Sequence, residues 1–114
     1  MIRLSAAQVH PSAVIHPGAR LGANVRIGPY CILGDEVEIE EGSELMAHVY
    51  MDGPLRVGPG NRFFPYSSIG VVPQDLKFHG ERTETVIGKE NTFREFVTVH
   101  RGPEGGGGIT SLGE

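Results

Sequence analysis

The stretch from residue 9 to residue 39, VHPSAVIHPGARLGANVRIGPYCILGDEVEI, has a large apolar residue at every sixth position. The same spacing continues without interruption to residue 69 and comprises Val9, Ile15, Leu21, Ile27, Leu33, Ile39, Leu45, Met51, Val57, Phe63 and Ile69. With 39% hydrophobic residues in the chain, eleven consecutive matches have a chance on the order of 10⁻⁵ before correction for phase. A helix does not repeat every six residues, and a single strand rarely exceeds about ten. The period therefore predicts a solenoid.

Two other phases of the six-residue repeat describe its turns. Four residues after the large positions stand mostly small side chains, namely Ala13, Ala19, Val25, Cys31, Val37, Ser43, Val49, Leu55, Asn61 and Ser67. Glycine often follows the large residue directly, as in Gly22, Gly28, Gly34, Gly58 and Gly70. Small residues fit a tight inner corner, and glycine permits a sharp change of direction. Each hexad is thus predicted to be a short strand followed by a bend.

One hexad cannot bury its own apolar side chain, so neighbouring hexads must stack. Three hexads would form a triangular coil of about 18 residues, and coils about 4.8 Å apart would align the large residues in internal columns. Residues 9–70 supply a little over three such coils. The sequence therefore predicts one all-β domain over residues 1–114, a parallel β-helix.

The repeat is interrupted twice. After Ile69 it resumes at Ile87 and continues at Phe93 and Val99. The segment near residues 71–85 is therefore predicted to be a loop excursion from the coil, because the step of 18 keeps the phase. A second excursion is predicted near residues 101–111, where four consecutive glycines occupy 105–108. That run lacks the preceding strand and following helix of a phosphate-binding loop, so we interpret it as a flexible connection.

The composition excludes several classes of protein. The net charge is −4 and no cluster of Lys and Arg occurs, which argues against nucleic-acid binding. No run of about 18 apolar residues is present, so an integral membrane protein is not expected, and the first residues do not form the apolar segment of a secretory signal. Cys31 is the only cysteine, which excludes an internal disulfide. These features favour a cytoplasmic location.

Two segments resemble a known family. Residues 68–81, SIGVVPQDLKFHGE, and residues 94–102, REFVTVHRG, are similar to the UDP-N-acetylglucosamine O-acyltransferase family of hexapeptide-repeat acyltransferases, and the resemblance extends over the whole chain. Pro103 stands where the family usually has Thr. The resemblance implies that the β-helix is left-handed, a property that the period alone does not decide, since parallel crossovers are usually right-handed.

The resemblance also implies a reaction. Members of the family move a 3-hydroxyacyl group from acyl carrier protein to the 3-hydroxyl of UDP-N-acetylglucosamine, the first step of lipid A biosynthesis, as homotrimers and without a metal or cofactor. Their catalytic histidine lies in further coils beyond the position of Glu114. No residue of this chain is therefore assigned as catalytic, and the 114 residues alone are expected to be inactive.

The candidate substrate-binding residues are Gln74, Asp75, Lys77 and His100, which by resemblance line or adjoin a cleft between neighbouring subunits. Asp75 could accept a hydrogen bond from a sugar hydroxyl, and Lys77 could bind a phosphate or the acyl hydroxyl. Gln74 could orient an amide of the acyl or pantetheine group. A polar surface loop would carry such residues without any function, and His100 could equally be a surface histidine at the end of a coil.

Other functions compete with this interpretation. A non-catalytic trimeric β-helix module would need none of these residues. The related UDP-3-O-acylglucosamine N-acyltransferase normally has an extra N-terminal domain, whereas hexads begin here at Val9. A γ-type carbonic anhydrase needs three histidines that converge on zinc, and His100 has no such partner nearby in sequence. His10, His16, His48 and His79 are interpreted as exposed or turn residues, and Cys31 as core packing.

Overall fold

The computed structural model describes residues 7–71, 84–100 and 109–112. These residues form fifteen short strands. The strands are β1 Gln8–Val9, β2 Val14–Ile15, β3 Arg20–Leu21, β4 Arg26–Ile27, β5 Ile32–Leu33, β6 Val37–Ile39, β7 Glu44–Leu45, β8 Tyr50–Met51, β9 Leu55–Val57, β10 Arg62–Phe63, β11 Ser68–Val71, β12 Glu84–Ile87, β13 Thr92–Phe93, β14 Thr98–His100 and β15 Ile109–Leu112. Each strand holds the large residue of one hexad, as the repeat predicts.

Every strand pairs in parallel with the strand three places along the chain. The result is three five-stranded sheets, which we name sheet A (β1-β4-β7-β10-β13), sheet B (β2-β5-β8-β11-β14) and sheet C (β3-β6-β9-β12-β15). In the uninterrupted coils the register step is 18, for example Val9 opposite Ile27 and Leu33 opposite Met51. The predicted parallel β-helix with coils of 18 residues is confirmed, and it is left-handed as the resemblance implies.

The three sheets are the sides of a triangular prism. The large residues form three columns inside it. Leu33 and Leu45 are each 1% exposed, and Phe63 is fully buried. Stacked coils place equivalent positions directly above one another, so the ring of Phe63 stacks on that of Phe93 at a centroid distance of 4.8 Å. Leu21, in the first coil, is only partly buried. A continuous apolar column is what makes each two-residue strand stable, since a strand of that length has little stability by itself.

From Val25 to Ser67 the inner-corner phase is buried as predicted, and its polar members Ser43, Asn61 and Ser67 are hydrogen-bonded. Asn61 is fully buried. Its Nδ2 donates to the carbonyl oxygens of Gly58 and Gly88 at 2.8 and 2.7 Å, and its Oδ1 accepts from the backbone N–H of Asn91 at 2.8 Å. The backbone N–H of Asn61 in turn donates to Ser43 Oγ at 3.0 Å. Asn61 therefore joins three successive coils and satisfies backbone groups that the turn would leave unpaired.

Of the glycines that follow large residues, Gly70 has the positive φ that permits a sharp change of direction, whereas Gly22, Gly28, Gly34 and Gly58 do not. Among the described glycines, positive φ occurs at Gly42, Gly60 and Gly70. A Cβ at Gly28 would overlap the carbonyl oxygen of Met46, and one at Gly58 would lie 2.6 Å from that of Gly88. Glycine is thus required at these positions because the next coil's backbone lies so close. From the end of the first coil onward, most turns have their left-handed residue two positions later, as at Asn24, where φ is 58°.

Candidate functional site at the edge between sheets B and C

The three sheets meet at three edges of the prism. The chain passes from sheet A to sheet B at the A–B edge, from B to C at the B–C edge, and from C back to A at the C–A edge. In the second coil these edges fall at residues 28–31, 34–36 and 40–43. In this coil the same turn, with its left-handed residue at Tyr30, Glu36 and Gly42, is used at all three edges. The edges differ there in their outward side chains.

Both interruptions of the repeat fall at the B–C edge. Strand β11 ends in sheet B at Val71 and β12 begins in sheet C at Glu84, while β14 ends at His100 and β15 begins at Ile109. The inward residues Ile69 and Ile87 are 18 positions apart where a regular turn needs six, so the first excursion adds 12 residues to one coil. The second adds seven, since Val99 and Leu112 are 13 apart. The two excursions therefore start from paired strands in successive coils.

A β-bulge at Gly70 starts the first excursion. The register between β11 and β14 shifts there, with Ile69 opposite Val99 but Val71 opposite His100. Gly70 is the extra residue and has φ of +78°. A Cβ at this position would overlap the carbonyl oxygen of Asp52 in the preceding coil. The bulge turns the chain out of sheet B, and glycine alone fits both the backbone conformation and the space.

The predicted site residues are only partly within the described chain. Gln74, Asp75 and Lys77 lie outside the described residues, between Val71 and Glu84. The backbone of His100 is described, and it pairs with Val71 at the point from which the first excursion leaves. The residue that begins the second excursion thus adjoins the residue that begins the first, although 29 positions separate Val71 from His100 in the sequence.

The preceding coils make the B–C edge acidic. Asp35 and Glu36 follow strand β5, and Asp52 follows strand β8. Asp35 Oδ1 accepts a hydrogen bond from the backbone N–H of Glu36 at 2.9 Å and lies 3.6 Å from His16 Nδ1. That nitrogen of His16 already accepts from the backbone N–H of Gly18 at 2.9 Å. These contacts hold the turns in place, and the carboxylates give the edge a negative potential.

The described residues contain no group of three or more His, Cys, Asp or Glu that could hold a metal ion. Over the same part of the chain, no helix is long and apolar enough to cross a membrane. Cys31 is buried, and burial raises the pKa of its thiol. It occupies the interior as predicted, where an uncharged thiol packs like a small apolar side chain.

The A–B edge has a feature that the sequence analysis missed. Tyr30, His48, Tyr66 and Phe96 occupy the left-handed position of this edge in four successive coils, with φ between 52° and 67°. Their rings stack into one column, which we call the aromatic column, with centroid distances of 5.1, 5.0 and 5.6 Å. Tyr30, Tyr66 and Phe96 are 61, 54 and 79% exposed. The spacing of 18 between residues 30, 48 and 66 is the signal that could have revealed it.

Known proteins were compared with the chain by sequence and by structure. No protein-family model matches. An acyl-(acyl carrier protein)–UDP-N-acetylglucosamine O-acyltransferase from Rickettsia canadensis is 49% identical over 110 residues, which are 96% of this chain and 42% of that protein. The protein of the same name from Rickettsia peacockii is 46% identical over the same lengths. The chain therefore spans less than half the length of these relatives.

Solved structures give the same result. LpxA from Acinetobacter baumannii superposes with a TM-score of 0.91 at 42% identity and covers 93% of this chain and 41% of its own. LpxA from Bacteroides fragilis, described as a UDP-N-acetylglucosamine acyltransferase, superposes with a TM-score of 0.89 at 40% identity, with 93 and 41% covered. Over the part of its relatives' length that it spans, the chain belongs to the acyl-(acyl carrier protein)–UDP-N-acetylglucosamine O-acyltransferase family.

Proposed function

We propose that the protein carrying this chain transfers a 3-hydroxyacyl group from acyl carrier protein to the 3-hydroxyl of UDP-N-acetylglucosamine, the first step of lipid A biosynthesis. The 49% identity over 96% of the chain is the observation that carries the proposal. In the reaction the sugar oxygen forms an ester bond with the acyl carbon, and the bond from that carbon to the carrier's thioester sulfur breaks. The hydroxyl proton ends on the released thiol.

Three contributions are needed from the protein. A sugar hydroxyl is a poor nucleophile near neutral pH, so a general base must accept its proton during attack. The oxyanion that develops on the acyl carbonyl needs a fixed donor such as a backbone N–H. Both substrates must also be held in the orientation for attack. The family assigns the base to a histidine outside these 114 residues, and we propose that the 114 residues alone do not catalyse the reaction.

The residues of this chain are proposed to bind and orient the substrates. Gln74, Asp75 and Lys77 belong to the excursion that leaves sheet B at Val71. We assign the sugar hydroxyls to Asp75, a phosphate or the acyl hydroxyl to Lys77, and an amide of the acyl or pantetheine group to Gln74. The pairing of Val71 with His100 supports a role for His100 beside the same loop. The lysine cation would offset the acidic edge that Asp35 and Asp52 create.

The protein is also proposed to act as a homotrimer in the cytoplasm. The flat faces of a triangular prism can pack around a threefold axis, and closed cyclic symmetry is common among soluble oligomers. A single cysteine that is buried and free agrees with a reducing compartment. If the site lies between subunits, as the family implies, activity requires this assembly.

The test is an acyl-transfer assay on the protein translated from the whole reading frame that contains these residues. Acyl carrier proteins loaded with 3-hydroxyacyl chains of several lengths are incubated with UDP-N-acetylglucosamine, and mass spectrometry detects the ester product. We expect product with at least one chain length, and a loss of at least tenfold in kcat/KM for Lys77→Ala and Asp75→Ala. A matched control is Lys89→Ala, on the C–A edge. Product only with the 2-amino acceptor of the N-acyltransferase reaction would overturn the proposal.

A further inference from the structure

We propose that the turn of the first coil at the A–B edge, residues 10–13, is a pH-sensitive turn that is closed in neutral solution and opens in mild acid. The proposal does not depend on the acyl transfer proposed above. It rests on a hydrogen bond whose acceptor is an imidazole nitrogen, at a position where several turns of later coils use a backbone carbonyl oxygen as the acceptor.

In several turns of the later coils, the residue three positions after the large apolar residue donates its backbone N–H to the preceding coil. His48 N donates to the carbonyl oxygen of Pro29 at 3.0 Å, and Gly60 N donates to that of Glu41 at 3.0 Å. A backbone carbonyl oxygen has no proton to gain in this pH range and accepts the bond in neutral and in mildly acidic solution. These turns therefore do not depend on the charge of a side chain.

In the first coil the equivalent residues are Ser12 and Gly18, and both donate to a histidine side chain. Ser12 N lies 3.1 Å from His10 Nδ1, and Gly18 N lies 2.9 Å from His16 Nδ1. An imidazole nitrogen accepts a hydrogen bond only when it carries no proton, so each ring is neutral in this arrangement and has its proton on Nε2. The two turns are therefore closed by bonds that exist only in the neutral form of histidine.

The surroundings of His10 do not compensate for a positive charge. Ser12 Oγ donates to His10 Nδ1 at 2.9 Å and accepts from the backbone N–H of Tyr30 at 2.9 Å. If Nδ1 were protonated, the hydroxyl could turn and accept from it, but the backbone N–H of Ser12 would lose its acceptor. The charged residues beside His10 in the groove on sheet A are Arg26 and Glu44. Among the described residues, no carboxylate forms an ion pair with His10.

His16, in the B–C turn of the same coil, has a carboxylate beside it. Asp35 Oδ1 lies 3.6 Å from His16 Nδ1, and Glu36 is the next charged residue of that neighbouring turn. A proton on Nδ1 would face this carboxylate, so an ion pair would take the place of the bond from Gly18. The pair is exposed and contributes modestly, but it opposes the loss. We therefore expect the His10 turn to respond to acid more strongly than the His16 turn.

The direction of the effect follows from which form the closed turn binds. Histidine gains its charge as the pH falls from about 8 to about 5. Because the closed turn needs the neutral ring of His10, its stability is complete at the upper end of this range and decreases towards the lower end. Loss of one neutral hydrogen bond shifts a local equilibrium roughly two- to tenfold. Strand β1 precedes this turn and pairs with β4 alone among the described strands, so the turn can open without disturbing the later coils.

Hydrogen–deuterium exchange at pH 7.5 and pH 5.5 tests the proposal on the protein translated from the whole reading frame. Mass spectrometry with fragmentation to single amides gives the exchange rate of each N–H, corrected for the intrinsic effect of pH. We expect the protection of the Ser12 amide to fall at least twofold in acid, that of Gly18 to fall less, and that of Gly60 to stay constant as the reference. Unchanged protection at Ser12, or an equal fall at Gly60, would overturn the proposal.

Two variants identify the groups responsible. The side-chain oxygen of asparagine accepts a backbone N–H two residues later and does not change charge, so His10→Asn should keep the Ser12 amide equally protected at both pH values. Asp35→Asn removes the carboxylate beside His16 and should make the Gly18 amide as sensitive to acid as that of Ser12. Circular dichroism checks that both variants are folded. If the Ser12 amide of His10→Asn keeps the pH response of the parent protein, another group causes it and the proposal is wrong.

Discussion

In the second coil the A–B and B–C edges of the prism are built from the same turn, but their outward side chains differ in chemistry. Tyr30 on the first edge and Glu36 on the second have nearly the same φ, 59° and 56°. The A–B edge continues without insertion through all five coils and carries stacked rings. The B–C edge is acidic and has two excursions.

This difference shows which parts of a hexad are constrained. The inward positions must fill the columns, and the glycine after the large residue must clear the backbone of the next coil. The outward residue of a turn meets neither requirement, so its chemistry is free to vary from edge to edge. Surface properties of this fold can therefore differ from edge to edge, as the aromatic column of the A–B edge and the carboxylates of the B–C edge show.

The largest effect is expected at the bulge of the B–C edge. We predict that Gly70→Ala lowers the free energy of unfolding by at least about 3 kcal/mol, because the new Cβ meets both positive φ and the carbonyl of Asp52. Gly42→Ala is the matched control: φ is +75°, but the nearest atom to its Cβ is Gly60 N at 4.0 Å. It should cost about 1 kcal/mol, for the backbone alone. Urea denaturation followed by circular dichroism measures both.

If the two alanine variants lose equal stability, the close approach of Asp52 is not what fixes glycine at position 70. The same two alanine variants also distinguish an effect on stability from an effect on acyl transfer. We expect any folded fraction of Gly70→Ala to lose acyl transfer, because the bulge directs the excursion that carries Lys77. Gly42→Ala lies on the C–A edge and should retain it.

A smaller effect is expected in the aromatic column of the A–B edge. Tyr66→Ala removes the stacking on His48 and Phe96 and keeps a Cβ at φ of +67°. We predict a loss of about 1–2 kcal/mol. Tyr66→Gly should lose about 0.5 kcal/mol less, because glycine accepts the left-handed backbone. The control Glu90→Gly, at φ of +59° on the C–A edge and outside the column, should be as stable as the parent protein or slightly more stable.

These three variants decide whether the rings stabilise the edge at all. Thermal unfolding at one fixed protein concentration gives the comparison. A Tyr66→Gly protein more stable than the parent would mean that stacking contributes less than the backbone costs. The column would then be maintained only by what it contacts outside the subunit.

A last effect, on chemical reactivity and not on stability, is expected at the A–B edge. Tyr30 and Cys31 are neighbours, yet Tyr30 is 61% exposed and Cys31 is fully buried. Burial also raises the pKa of the Cys31 thiol, which disfavours the reactive thiolate. We predict that iodoacetamide does not label the native protein within the time that labels a Tyr30→Cys variant to completion. Rapid labelling of Cys31 in the folded parent would show that this corner opens.

The interior of the molecule followed from the sequence because burial constrains it directly. Leu33 and Leu45 lie in the predicted columns, and Ser43 and Asn61 occupy the predicted inner corner. The two interruptions were also visible, since Ile87 and Leu112 restore the pattern. That both interruptions fall at the same edge was not visible in the sequence. The step of 18 residues from Ile69 to Ile87 is also the step that one uninterrupted coil would give. Only the pairing of β12 with β9 shows that the added residues fall within one turn.

The outward features were harder to predict for a physical reason. Exposed positions have no burial pattern to reveal them, and the step from Tyr66 to Phe96 is 30 and not 18 because the first excursion intervenes. The candidate site has the same difficulty. Gln74, Asp75 and Lys77 were identified by family resemblance, and they remain predictions because they lie outside the described residues.

The two excursions lengthen their turns by 12 and by seven residues, and sheet C continues through both. Twelve is a multiple of six and seven is not. The point at which the chain rejoins sheet C is therefore determined by pairing with the strand of the previous coil and not by the number of residues in the excursion. This edge can therefore accept an inserted segment whose length is not a multiple of six while the pairing of sheet C is kept. Diversification of ligand specificity in such a protein needs no change in any column of its core.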